Sequence, residues 1–75
     1  MEGKGLYTWK SGKKYEGEFF EGVKEGNGIL YETDGSKWEG TWINNMKDGM
    51  MVLTDLHGSV RRIEFSEDEE VIVEN

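Results

Sequence analysis

Tyr15-Glu16-Gly17-Glu18-Phe19 and, 23 residues further on, Trp38-Glu39-Gly40-Thr41-Trp42 are the two stretches that decide the fold. In each, two rings and a glycine alternate with Glu or Thr, a period of two that puts aromatics on one face of a β-strand and polar groups on the other. The spacing extends outward from these stretches. Gly3 falls over Gly26 and Gly49, Gly5 over Gly28, Gly12 over Gly35 and Gly58, and Phe19 over Trp42 and Phe65. Self-similarity at such a period marks a repeat array, in which each unit hides its apolar face only by stacking on its neighbours. Two full units are followed by a fading third, where Arg61 stands for the Tyr15/Trp38 ring, Ile63 for the Gly17/Gly40 gap and Met51 for the second glycine of the Gly-x-Gly pair. Such departures suit a terminal cap, whose outer side meets water.

Glycines and turn residues punctuate the strands. Ser11-Gly12, Asp34-Gly35 and His57-Gly58 each separate runs rich in aromatic and β-branched residues, and Asp-Gly favours the primed turns that match hairpin twist. The connections at 21–26 and 44–49 are polar and glycine-bearing, which predicts slightly longer turns. Strands are expected near 4–10, 14–20, 27–33, 37–43, 50–56 and 59–65, with ends uncertain by about two residues. The fold class is therefore all-β, a single twisted antiparallel meander of about six strands built from three hairpins. Gly17 and Gly40 leave gaps into which a ring of the adjacent hairpin can lie flat, so the rings stack along the array. Each buried ring contributes roughly 1.5–3 kcal/mol. Leu6, Ile29 and Val52 adjoin Tyr7, Leu30 and Leu53, so some apolar surface is expected on both faces.

A chain of 75 residues holds one domain with a thin core. The sheet is expected over 1–65, with units near 3–25, 26–48 and 49–65, followed by an acidic tail over 66–75. In that tail Ser66-Glu67-Asp68-Glu69 resembles a capping box, but Val71-Ile72-Val73 prefers extended structure, which favours a short strand or disorder over helix. With no cysteine, neither disulfides nor thiolate metal sites supplement the core. A cytoplasmic location is the expectation, with cytoskeletal or membrane association open. No apolar run approaches the ~20 residues that cross a bilayer, and no leader-like segment opens the chain. The net charge of −7 is concentrated in the tail, where five acidic residues stand with no basic one. That sign disfavours nucleic acid and weakens attraction to anionic lipid.

The pentads at 15–19 and 38–42, with Gly22, Gly26 and Gly28 after the first and Asn45 and Gly49 after the second, resemble MORN repeats. The resemblance covers residues 3–58, continues only through Phe65 in 59–65, and leaves 66–75 unassigned. It implies an elongated, twisted single-layer sheet used as an interaction platform. Relatives include cytoskeletal, ciliary and membrane-junction proteins and regulatory regions attached to lipid kinases or methyltransferases. Peptides or helices laid along the aromatic groove, self-association and phospholipid binding are the uses it implies. An attached catalytic activity is not inherited by a chain that holds only repeats.

Enzymatic constellations are not found. His57, the sole histidine, occupies a turn beside Gly58 and reads as a turn residue rather than a general base. Glu16, Glu18, Glu39 and Glu64 read as a solvated strand face rather than paired catalytic carboxylates. Asp68, Glu69 and Glu70 lack the spacing of a Ca²⁺ loop, so no metal or cofactor is expected. Gly3-Lys4-Gly5 and Gly26-Asn27-Gly28 lack the Gly-Lys-Ser/Thr of a phosphate-binding loop. The candidate partner-binding residues are Tyr7, Trp9, Tyr15, Phe19, Tyr31, Trp38 and Trp42, with Phe65 beyond them, because a single layer must use the same rings as core and as contact surface. Four methionines add adaptable contacts. The expected function is a non-catalytic adaptor or scaffold that binds a peptide or amphipathic helix on this face. The alternative is a peripheral phospholipid binder using Lys10, Lys13 and Lys14, and homo-oligomerisation through unpaired strand edges is a third possibility.

Overall fold

The computed structural model describes residues 3–71. Its strands are β1 (Gly3–Thr8), β2 (Lys14–Phe20), β3 (Val23–Tyr31), β4 (Lys37–Ile43), β5 (Met46–Lys47), β6 (Gly49–Thr54), β7 (Val60–Ser66) and β8 (Glu69–Glu70). All are antiparallel in one sheet, ordered β1-β2-β3-β4-β6-β7-β8, with β5 also on β4. The molecule measures 42 × 27 × 16 Å, and a thickness of 16 Å leaves room for one sheet and its side chains but no second layer. The single all-β meander is thus observed.

The turns exchange the roles expected of them. At 9–13, Trp9 N–H donates to Lys13 O at 2.8 Å and Gly12 N–H donates to Trp9 O at 3.0 Å, and 32–36 and 55–59 close in the same pattern. These are three-residue loops with glycine at positive φ in third place, rather than the primed turns expected at Asp34-Gly35. The primed geometry lies at the connections expected to be longer. Glu21 and Gly22 have φ of 49° and 82°, Asn44 and Asn45 50° and 71°, and Glu67 and Asp68 50° and 71°. Gly22, Asn44, Asn45 and Asp68 tolerate positive φ, and Glu21 and Glu67 adopt it beside them, so two-residue turns form there, β3 begins at Val23, and Met46–Lys47 already forms β5.

The glycines that follow these tight turns absorb a bulge. From Gly17 to Phe19, two steps on β2 face four on β3, Lys24 to Gly28. From Glu39 to Trp42, three steps on β4 face five on its partners, Lys47 to Val52. Gly26 and Gly49 supply positive φ at these irregularities.

Beyond the bulge a row of glycines, Gly5, Gly17, Gly28 and Gly40, runs across four strands. A methyl added at Gly28 would land in the Tyr15 ring, and one at Gly40 would lie 2.6 Å from Met51 Sδ. The row is the seat of the core. Tyr15, Phe19, Leu30, Trp42, Met51 and Phe65 are buried, with Trp9, Trp38 and Ile63 packed against them. The rings meet edge to face rather than flat: Tyr15 with Phe19 at 5.0 Å and 81°, Tyr15 with Trp42 at 5.7 Å and 87°, and Trp38 with Phe65 at 5.4 Å and 82°. That geometry aims the positive ring edge at the negative face of its neighbour.

On the reverse side Leu6, Glu16, Ile29, Glu39, Val52 and Arg62 form one cross-strand row. Leu6, Phe20, Ile43 and Met50 are exposed there. Residues 66–70, expected in the tail, continue the sheet, because Phe65 pairs with Glu70 and Ser66 with Glu69. Residues 72–75 of that tail lie outside the described residues.

Seating a ring on bare backbone makes Gly28→Ala more costly than backbone entropy alone suggests. Overpacking at Gly28 should remove about 1–3 kcal/mol in urea unfolding. At Gly58 a Cβ meets nothing within 4 Å, so Ala there should lose only about 1 kcal/mol to its left-handed backbone. Equal losses would show that Tyr15 does not depend on the glycine.

Candidate partner-binding face

Strand register sorts the candidate residues onto the two faces. Tyr7, Tyr15, Leu30, Trp38, Leu53 and Arg61 are in register on the core side. Tyr31 is in register with Lys14 and Lys37 on the other side, where its hydroxyl approaches Glu16 Oε1 at 3.5 Å and the Lys14 ammonium sits 5.4 Å from its ring. A single shared aromatic face therefore excludes Tyr31, because alternation along β3 turns it away from Leu30.

The remaining candidates form a floor and a rim. Tyr15 is fully buried, Trp42 is 1% exposed and Phe19 8%. Tyr15 Oη donates to Glu18 O at 3.1 Å, and Trp42 Nε1 donates to Gly28 O at 3.1 Å, so both polar tips are satisfied on the backbone. Tyr7 and Trp9 meet edge to face at 4.8 Å, with Tyr7 still 45% exposed, while Trp9 and Trp38 are half-buried. A partner would touch this rim, not the floor.

Two lysines cover the floor. The Lys24 ammonium lies 5.5, 5.7 and 5.4 Å from the Trp9, Tyr15 and Trp42 rings. The Lys47 ammonium lies 5.0, 6.0 and 5.1 Å from Trp38, Trp42 and Phe65. Each contact is worth about 0.5–2 kcal/mol, and the butyl stems supply apolar cover that a missing second layer would have given. Burial is the main cause that pulls the Lys24 pKa down, with Lys13 adding to it. Lys47 is paired with Asp68 at 3.2 Å. These lysines were absent from the candidates, although their signal was present: each stands nine residues after the first ring of its pentad.

Between Tyr7, Trp9, Phe19, Gly22, Lys24 and Asn45 runs a cleft of about 430 Å³. A larger depression of about 530 Å³ lies on the opposite side among Lys4, Glu16, Glu18, Asn27, Ile29 and Glu39, where the Glu16 and Glu39 carboxylates are exposed. The lysines considered for lipid do not converge. Lys13 pairs with Glu32 at 3.5 Å, Lys14 faces Tyr31, and Lys10 stands exposed in the loop. His57 is exposed in its turn, where its N–H donates to Asp55 Oδ1 at 2.9 Å. Among the described residues no group of His, Asp and Glu converges as metal ligands.

A family model described as MORN repeat matches residues 1–14, 15–37 and 38–50. No curated protein matches the chain. The matched segments end at the start of β6, whereas the sheet continues through β7 and β8.

Two titrations check this geometry. Burial raises the Tyr15 pKa to about 12, with the Glu18 charge adding to the shift. A raised folded pKa means that stability is complete below the unfolded value near 10 and falls as pH rises toward 12. Absorbance at 295 nm should show this phenol ionising together with unfolding, and Tyr15→Phe should remove the alkaline loss. At the other end, the Lys47 backbone N–H holds the Asp68 carboxyl below its ordinary range, assisted by the Lys47 ammonium. A depressed folded pKa contributes stability above the unfolded value near 3.9, lost as pH falls further. Hydrogen exchange at the Val71 amide, which bonds Glu64 O at 2.7 Å, should accelerate in that acid range in the native chain, whereas Asp68→Asn should flatten the response.

Proposed function

Because this chain belongs to the MORN-repeat family, whose repeats occur in protein- and membrane-binding modules and are themselves non-enzymatic, we propose that it is an interaction module that docks a peptide or amphipathic helix of a partner protein on its aromatic face. The observation that carries this reading is the half-open rim of Tyr7, Trp9 and Trp38 above a floor already packed by Tyr15, Phe19 and Trp42. Rigid aromatic anchors beside a cleft are the residues that dominate binding energy when a partner excludes water from them. An adaptor or assembly-subunit role follows from such docking, without catalysis by this chain. The spread of Lys10, Lys13 and Lys14 over different sides gives phospholipid no concentrated basic patch, so the protein-docking reading is preferred.

Tyr7→Ala combined with Trp9→Ala should abolish capture of partner peptides while the far-ultraviolet dichroism of the sheet persists. The reverse-face pair Leu6→Ser and Met50→Ser should leave capture intact. Loss with the reverse-face pair but not with the rim pair would move the docking surface to the other side.

A further inference from the structure

Lys24 and Lys47 are one repeat apart, and so are the turn residues that lock them, Asn45 and Asp68. Lys24 N–H donates to Asn45 Oδ1 at 2.8 Å, and Asn45 N–H donates back to Lys24 O at 3.0 Å. Lys47 N–H donates to Asp68 Oδ1 at 3.0 Å, and Asp68 N–H donates back to Lys47 O at 2.8 Å. Asn45 and Asp68 even share a φ of 71°. The two corners use the same acceptor oxygen in the same place, and they differ in charge alone. The Asp68 carboxylate also reaches the Lys47 ammonium at 3.2 Å, whereas the Asn45 amide has no charge to give, and Lys24 makes no ion pair among the described residues.

Lys24 is thus a partly desolvated ammonium held over three rings with no carboxylate in ion-pair contact among the described residues, Asp68 acting on it only from its place on Lys47, and burial disfavours that state. The aromatic side can receive an anion although the chain is acidic, because Lys24, Lys47 and Arg61 belong to the ring side, where Asp68 is already paired with Lys47 and Glu70 stands farther along in register with Phe65. The cleft beside Lys24 is walled by Tyr7, Trp9 and Phe19, so an apolar residue adjoining the anion would have rings to cover it.

We propose that a docking segment supplies to Lys24 the carboxylate that Asp68 supplies to Lys47, so that the partner is a peptide with an Asp or Glu side chain next to an apolar residue. The inference rests on aromatic-face docking and names its chemistry. Substituting Asn45→Asp would fill the site from within, and because Asp68 occupies the equivalent turn, that variant keeps the fold.

Short random peptides displayed on phage, panned against the full chain, are the probe. Retained peptides should carry an Asp or Glu whose change to Asn or Gln weakens binding about tenfold or more, as expected for a charge-assisted hydrogen bond. Asn45→Asp should weaken them by a similar factor, and NMR titration of its Lys24 side chain should show a higher pKa than in the native chain. Peptides that require Trp9 but bind Asn45→Asp undiminished, or tolerate loss of their carboxylate, would overturn the inference and leave the docking reading standing. An empty selection would sink both. If Glu74→Gln in the unliganded chain alters the Lys24 titration, the chain's own terminus is the occupant and a partner carboxylate is not required.

Discussion

A sheet with no second layer must cover its apolar face with its own side chains, and here the row of Gly5, Gly17, Gly28 and Gly40 makes that possible. A side chain at Gly17 or Gly28 would run into Tyr15, and one at Gly40 would run into Met51. Without one, Tyr15 lies down over Gly28, Trp42 reaches Gly28 O with its indole N–H, and Met51 drops onto Gly40. The core is therefore packed against main chain on one side and against neighbouring rings on the others. It reaches full burial at Tyr15 and Met51 in a molecule only 16 Å thick. Close contact with backbone replaces the facing layer that a sandwich would provide.

What the rings leave open, lysine closes. Lys24 and Lys47 lay their stems across the aromatic floor and keep their charges over the ring faces. The arrangement combines apolar cover with a polar outer surface, which a leucine in the same place would not do. Charges of both signs occur on both faces: Lys4, Lys14, Lys37 and Arg62 stand among the strand carboxylates of the reverse face, and Asp68 and Glu70 stand beside the cations of the ring face.

The hairpin array was legible in the sequence because its cause is local. Ring-Gly-ring alternation at 15–19 and 38–42 sets the strand faces and the glycine row in one motif. The turn types were less legible, since Asp-Gly suits both a primed turn and a type I turn closed by a left-handed glycine, and the choice is made by how many residues the loop spans. The assignment of Tyr31 to the ring face failed for a related reason. Ile29, Leu30 and Tyr31 are apolar in succession, so the pattern gives no side, and only pairing of Leu30 with Tyr15 and Trp38 decides it. Lys24 and Lys47 escaped because a lysine near a turn reads as solvated, and its burial comes from Trp9, just past β1, and from rings on strands β2, β4 and β7 that no local window contains.

The interlocking of Lys24 with Asn45 and of Lys47 with Asp68 gives the ribbon a polarity. Each corner is clamped by the hairpin that comes after it in the chain, so a unit is finished only once its successor has formed. Assembly on such a plan resembles shingling, with every course holding down the edge of the one before. Among the described residues β8 has a neighbour on one side only, and on that open border another hairpin of the same design would find its fastening ready.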